Sequence, residues 1–339
     1  MWRGCSRGAS DNAAANVFFG GGTPSLLPAS VVAQILRVID EYIGIAGDAE
    51  VTLEANPGAS EHGAWGDYVM AGVNRLSLGV QSLDDYLLNR LGRIHDAHTA
   101  IQSLRAARAG GLAKINADLM YALPGQTPAS AQADVLRIMD LGVEHISHYQ
   151  LTIEEGTPMA SNLPPDLPDE QSVLAMENAC RTELAAGGFE RYEISAFARF
   201  GQRCAHNLNY WRYGDYLGVG PGAHGKITGS VGSIARSVAV ASPRQWLDFS
   251  GTDQAVAEQW VLSREEVVFE LFANGLRLRE GILPGEAQIN TGLPWAELER
   301  HVKHLLESGW LEWQGGRLCA TAEAFEMLDT ALESILPAS

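Results

Sequence analysis

The chain has no pair of cysteines close enough to act together. Four occur in 339 residues, at positions 5, 180, 204 and 319, and the shortest separation is 24 residues (204 − 180). That spacing excludes the C-x-x-C arrangements of zinc and thiol–disulfide sites. A disulfide framework is not expected in a chain this long without a secretory context, and Met1–Asn16 carries no apolar core of a signal peptide. No apolar run of about 18 residues occurs, so no membrane-spanning helix is expected, and the expected compartment is the cytoplasm. Positive charge is scarce: 24 Lys and Arg stand against 41 Asp and Glu, a formal net charge of −17. Proteins that bind nucleic acid displace counterions with clustered cations, so no nucleic-acid partner is expected. What remains is a globular chain, 46% hydrophobic and 19% charged, long enough for one large domain and a small one.

From residue 17 to about 155, short apolar or β-branched runs alternate with helical periodicity. Strands are expected at Val17–Phe19, Glu50–Ala55, Arg75–Val80, Lys114–Met120 and His145–Ile153, with helices near 29–43, 61–71, 84–91, 96–109 and 129–141. Strand–helix units of roughly 25–35 residues imply right-handed crossovers and a parallel sheet. A sixth strand-like stretch, Arg191–Ala198, follows a helix expected over 170–186, so an open α/β barrel of five or six units fits. Residues 156–169, with Pro158, Pro164, Pro165 and Pro168, read as a surface excursion, and 199–245 as a glycine- and aromatic-rich region without regular periodicity. Helices are then expected at 263–275, 282–290, 295–308 and 322–335. Trp310–Leu318 reads as a hairpin turning at Gly315-Gly316, which suggests a small winged-helix-like domain.

In parallel α/β folds the ligand site lies at the carboxyl ends of the strands. Here those ends are chemically marked. Phe18-Phe19 runs into Gly20-Gly21-Gly22-Thr23-Pro24, whose glycines let backbone N–H groups approach a ligand or simply make a tight turn. The turn is neither a Walker loop nor a Rossmann fingerprint. Glu54, Gln81, Arg93 and Asp118 each stand at or just past a strand end. Two carboxylates, an amide and a guanidinium together could grip a zwitterion bearing hydroxyls; taken singly, each could be a capping or surface residue. His95 and Asp96 suit proton transfer or, for Asp96, helix capping. The run His206-Asn207-Leu208-Asn209-Tyr210-Trp211 offers an imidazole that could ligate iron beside two flat rings, or a structural histidine in an aromatic cluster. Gly218–Gly225 reads as a backbone contact surface. No catalytic triad or H-E-x-x-H helix stands out.

Read in order, Phe18–Ser25, Leu53–Pro57, Arg75–Ser82, Gly92–Asp96, Asp118–Tyr121 and Leu123–Thr127 resemble the radical S-adenosylmethionine family around oxygen-independent coproporphyrinogen III oxidase. His206-Asn207-x-x-Tyr210-Trp211 and Gly214-Asp215-Tyr216 resemble its HemW branch of haem chaperones. The resemblance implies a partial (β/α)6 barrel over 17–200, a connecting region over 201–255 with the histidine motif, and a small C-terminal domain over 256–339, leaving 1–16 outside the family pattern. It also implies that Gly21, Gly22, Thr23, Glu54, Gln81, Arg93 and Asp118 contact S-adenosylmethionine. His206, Asn207, Tyr210 and Trp211 become the candidate haem contacts, and haem-acceptor proteins such as respiratory enzymes become the partners. The alternative activity is the family's oxidative decarboxylation of coproporphyrinogen.

One departure bears on chemistry. The family carries C-x-x-x-C-x-x-C upstream of the glycine turn to hold a 4Fe-4S cluster. Only 19 residues precede Gly20 here, and they contain a single cysteine, Cys5. The first strand–helix unit is therefore expected to be missing, either because the start is misplaced or because a cluster-free protein kept a haem-handling role. In this form no radical activity is expected.

Overall fold

The computed structural model describes residues 13–58, 64–229, 232–333 and 335. The expectation that residues 1–16 stand apart lies, for residues 1–12 and therefore Cys5, outside the described residues. The chain divides into two compact units between His206 and Asn207.

The first unit carries β1 (Ala14–Phe19), α1 (Ala29–Tyr42), β2 (Ile45–Ala55), α2 (Trp65–Ala71), β3 (Arg75–Gln81), α3 (Asp85–Arg90), α4 (Ala97–Ala109) and β4 (Lys114–Tyr121). It continues through α5 (Pro128–Asp140), β5 (His145–Gln150), α6 (Pro158–Ser161), α7 (Glu170–Ala186), β6 (Glu190–Arg191) and β7 (Ala196–Ala198). The sheet order is β1-β2-β3-β4-β5-β7-β6, and β1 to β5 are parallel. This is the expected α/β architecture, with one local difference. The stretch expected as a sixth strand is a short hairpin, with β7 antiparallel to both β5 and β6. The Arg191 guanidinium donates to the Ile194 carbonyl at 2.7 Å and stabilises the bend between them.

Strand alternation gives the sheet two unlike faces. The row Phe19–Leu53–Leu76–Ile115 and the row Ala55–Leu78–Ala117–Ile146 are apolar and face the helices. They pack on Val32, Leu36, Tyr68, Leu104, Val135, Ile138 and Leu184 in one continuous core. Burying each such aliphatic side chain contributes about 1.5–3 kcal/mol. The intervening rows, Phe18–Thr52–Arg75–Lys114 and Glu54–Ser77–Asn116–His145, belong to the opposite, inner face and are largely polar.

Low on that inner face, near the amino ends of β3 and β4, Glu50 is an anionic hub. It pairs with Arg75 Nε at 2.8 Å and Lys114 Nζ at 3.5 Å and accepts from the Ala205 N–H at 2.8 Å. Arg75, 1% exposed, also donates to the carbonyls of Gln202 and Arg203 at 2.9 and 3.2 Å. The segment before α8 (Ala205–Trp211) is thereby tied to the barrel.

The second unit contains what the sequence pattern did not announce: a three-stranded antiparallel sheet of β8 (His224–Thr228), β9 (Ile234–Ala239) and β10 (Val256–Val261). Glycine permits its close approaches; a Cβ on Gly218 would lie 2.0 Å from the His224 carbonyl oxygen. Around it follow α9 (Pro243–Phe249), α10 (Arg264–Gly275), α11 (Pro284–Thr291) and α12 (Trp295–Glu307). The chain then forms β11 (Leu311–Gln314), β12 (Arg317–Ala320), α13 (Ala322–Glu326) and α14 (Leu328–Glu333). The expected hairpin forms, with Gly315 and Gly316 both at positive φ, while the helix expected over 322–335 is broken at Met327.

Removing the acceptor from the Glu50 hub strands a buried guanidinium, which typically costs about 3–5 kcal/mol. Glu50→Ala is therefore expected to lower unfolding free energy by that order in urea denaturation followed by circular dichroism. Glu297→Ala, which opens a pair with the exposed Arg264, is expected to cost under about 1 kcal/mol. Equal losses in the two variants would refute the hub.

Candidate functional site

The ends of five adjacent strands meet in one polar cluster. After β1 the glycine turn needs its residue type: Gly21 and Gly22 have φ of 80° and 64°, a left-handed backbone that side-chain-bearing residues disfavour. The Gly21 N–H donates to Glu54 Oε2 at 3.0 Å, and Asn56 Nδ2 donates to Thr23 Oγ1 at 3.3 Å. Two groups at the end of β2 therefore set the position of the turn.

At the end of β3 the backbone is strained. Gln81 has φ of 67°, and its pairing with β4 slips, from Leu78–Ala117 to Gln81–Leu119. One extra residue is accommodated on β3 as a bulge. A left-handed non-glycine residue costs about 1–2 kcal/mol, partly offset here by Tyr149, whose hydroxyl donates to Gln81 Oε1 at 2.8 Å. Beyond α3, Arg93 reaches back to Asn56 Oδ1 at 2.8 Å and the Gly79 carbonyl at 3.1 Å. Its neighbour His95 is buried against the Val80 carbonyl at 3.2 Å. Asp96 caps α4 by accepting from the Thr99 N–H at 2.7 Å; of the two roles open for it, capping is the one formed.

On β4, Asp118 accepts from Asn116 Nδ2 at 2.7 Å and from Ser77 Oγ at 3.3 Å. Burial raises its pKa to about 6, and the nearby Glu54 charge pushes the same way against those hydrogen bonds. Glu54 is raised by burial too, against the Gly21 N–H. Burial lowers Arg93, with Tyr149 and Asp118 opposing; a guanidinium remains cationic regardless. Burial beside Asp118 pushes the Tyr149 hydroxyl up to about 12, so it stays protonated and can donate.

Gly21, Gly22, Thr23, Glu54, Gln81, Arg93 and Asp118 are thus brought together. The sequence reading missed Asn56, which stands two residues past Glu54, and Tyr149, which lies within the fifth strand. Their signal was present, a polar residue at the end of each successive strand, but neither carries a charge.

The histidine motif is arranged differently. His206 stacks on Phe18 with ring centroids 3.9 Å apart and planes 17° apart. Burial lowers its pKa to about 4 despite the opposing charge of Glu50, so the ring is neutral at pH 7. Within the second unit Tyr210 lies against Tyr216, centroids 4.5 Å apart, and the Arg277 guanidinium sits 5.5 Å over Trp211. Asn207 is half-buried. The four share α8, but the ring faces of His206, Tyr210 and Trp211 have protein neighbours.

Two family models match the chain: the Radical SAM superfamily over residues 7–138 and the HemN C-terminal domain over 262–326. Heme chaperone HemW of Haemophilus influenzae is 39% identical over 296 residues, 87% of this chain and 76% of that protein. Its Escherichia coli counterpart is also 39% identical, over 87% of this chain and 77% of that one. The bovine mitochondrial radical S-adenosyl methionine domain-containing protein 1 is 36% identical over 95% and 75%. Among solved structures, coproporphyrinogen III oxidase (HemN) of E. coli superposes with a TM-score of 0.76 over 95% of this chain and 77% of its own, at 20% identity, a likeness of fold. No helix among the described residues is long and apolar enough to cross a membrane. With curated relatives this similar over most of both chains, the protein belongs to the HemW family of the radical S-adenosylmethionine superfamily.

Proposed function

We propose that the chain is a haem chaperone of the cytoplasm that holds S-adenosylmethionine in the strand-end cluster, holds haem at the histidine motif, and passes haem to acceptor proteins such as respiratory enzymes. The observation that carries the reading is the convergence of Glu54, Gln81, Arg93 and Asp118 with the Gly21–Thr23 turn. Their charges complement the ligand. S-adenosylmethionine carries a carboxylate for Arg93, an ammonium group and a sulfonium for the acidic side chains, and ribose hydroxyls that donate to a carboxylate. Gly21, Gly22 and Thr23 contribute a close backbone surface, and Gln81 an amide fixed by Tyr149.

For haem, a neutral imidazole is the form that ligates iron, and His206 has it at pH 7. Asn207, Tyr210 and Trp211 follow on the same helix as the accompanying contacts. The relatives named above as heme chaperones support haem as the cargo.

The cluster of the family is a different matter. A 4Fe-4S centre needs several closely spaced thiolates. Cys180, Cys204 and Cys319 are separately buried, and among the described residues no three metal-ligating side chains converge. These residues do not fit the cluster, and no radical step is derived through them.

Three substitutions and one pH titration test the reading. Binding of S-adenosylmethionine, measured by calorimetry, should weaken about tenfold in Asp118→Ala. In the wild-type chain it should weaken as pH falls through about 6, because protonation removes the carboxylate charge and turns one accepting oxygen into a donor; wild-type affinity in Asp118→Ala would sink the assignment. Gln81→Gly relieves the left-handed strain but adds backbone entropy, so stability should stay within about 1 kcal/mol. Its affinity for S-adenosylmethionine should nevertheless fall, and a proportional loss of both would mark Gln81 as merely structural. His206→Ala should bind haem at least about tenfold more weakly with a shifted Soret band; an unchanged spectrum would remove His206 as the ligand.

A further inference from the structure

Below Asp118 on the inner face runs a chain of buried side chains whose hydrogen-bond directions are fully determined. Asn116 is 5% exposed, and His145 and Tyr192 are each 1% exposed. One end of the Asn116 amide faces the backbone N–H of Ser147 at 3.1 Å. A backbone N–H can only donate, so that end is the oxygen. The other end faces Asp118 at 2.7 Å and Ser77 Oγ at 2.8 Å. An ionised carboxylate can only accept, so that end is the NH2 group. His145 Nδ1 lies 2.6 Å from the Asn116 oxygen and must carry its proton. Burial and the Arg75 charge hold His145 near 3, so the ring is neutral at physiological pH. Nε2 is therefore an acceptor, and it receives the Tyr192 hydroxyl at 2.9 Å. The Tyr192 oxygen in turn accepts from the Cys204 N–H at 3.4 Å. Every proton points the same way, from the 204 backbone to Asp118.

We propose that Tyr192 and His145 are positioning residues which, through Asn116, fix the carboxylate of Asp118 for the hydroxyls of the bound ligand. The inference rests on reading Asp118 as a ligand contact. Neither residue touches the ligand. His145 reinforces the orientation of the Asn116 amide that the Ser147 N–H and Asp118 favour; the reversed one would aim an oxygen at the carboxylate and put donors against both the Ser147 N–H and the His145 Nδ1–H. Tyr192 selects the histidine tautomer that permits it. Asn116 and Ser77 donate to different oxygens of the carboxylate, Oδ1 and Oδ2, and Ser147 adds a further hydrogen bond, which together set the plane it presents to ribose.

The test separates this role from simple packing. Nitrogen NMR of the labelled full chain should find His145 with its proton on Nδ1; a proton on Nε2 would overturn the proposal without reference to any ligand. The double variant His145→Phe/Tyr192→Phe removes both polar partners together, so no buried hydroxyl is left unpaired. Calorimetric titration with S-adenosylmethionine between pH 5 and 7 should then give a pH midpoint raised by about one unit, the size of one charge-assisted hydrogen bond. A folded double variant with the wild-type midpoint would overturn the proposal. Glu54, Arg93 and Tyr149 also face Asp118, so Asp118→Asn is the control that should abolish the midpoint. If Asp118→Asn keeps both affinity and midpoint, the contact assignment fails and this proposal falls with it, while the tautomer result still stands on its own.

Discussion

Polar side chains on the inner face of a parallel sheet must find partners among themselves, because little water reaches them. The apolar rows of β1 to β5 settle against helices and need nothing further. The alternate rows carry Thr52, Arg75, Ser77, Asn116, His145 and Glu50, and an unpaired buried polar group costs about 1–3 kcal/mol, more if charged. Most of the inner face is arranged to meet that demand. Glu50 is matched to Arg75 and Lys114, and Asn116 to Ser77, Asp118, His145 and Ser147. The buried Thr52 hydroxyl and Arg75 Nη1 find no hydrogen-bond partner among the described residues. They sit in one cross-strand pair between the two networks, at a place where an ordered water would complete the pattern.

At the strand ends the balance shifts from satisfaction to availability. Glu54 and Asp118 are both raised by burial and Asp118 also by the proximity of Glu54, a repulsion that a cationic ligand would relieve. Gln81 keeps a left-handed backbone, held by the bulge and by Tyr149. Strain of this kind persists where surrounding structure over-determines it, and such places are often ligand sites. Lower on the same strands, the Arg75–Glu50 pair is fully enclosed and no such backbone departure occurs at Arg75 or Glu50. The sheet has a closely paired base and a strained rim.

How far the sequence reveals this follows from the range of each interaction. The parallel strands and their helices are written in local periodicity, and Glu54, Gln81, Arg93 and Asp118 stand out because charge or amide at a strand end is conspicuous. Asn116 and Asp118 can be placed on one face from alternation alone. Tyr192 cannot be linked to His145 that way, since 47 residues separate them and Tyr192 lies in the bend of an unforeseen hairpin. The three-stranded sheet of β8 to β10 escapes for a related reason. Its strands are short, and β10 is exposed on both faces, so the alternation that betrays a half-buried strand is absent. His206 is conspicuous by its motif, but its stacking on Phe18 spans most of the first unit and leaves no trace in either segment.

Three histidines of the barrel illustrate how the same physical cause can have different chemical consequences. Burial makes His145, His148 and His206 neutral at pH 7, with pKa values of about 3, 3 and 4. His145 has both ring nitrogens committed, to Asn116 and Tyr192, so it can orient a neighbour but cannot ligate a metal. His148 is enclosed on the helix side of the sheet, stacked on Tyr121 and edge-on to Phe197, and reads as core. His206 is half-buried, and its contact with Phe18 engages the face of the ring. A metal is bound in the ring plane, along a nitrogen lone pair, so stacking and ligation use different parts of the imidazole. Phe18 therefore fixes the plane of the His206 ring as Tyr121 fixes that of His148, and what sets His206 apart from the other two is neither neutrality nor stacking but its half-buried position, where His145 and His148 are enclosed.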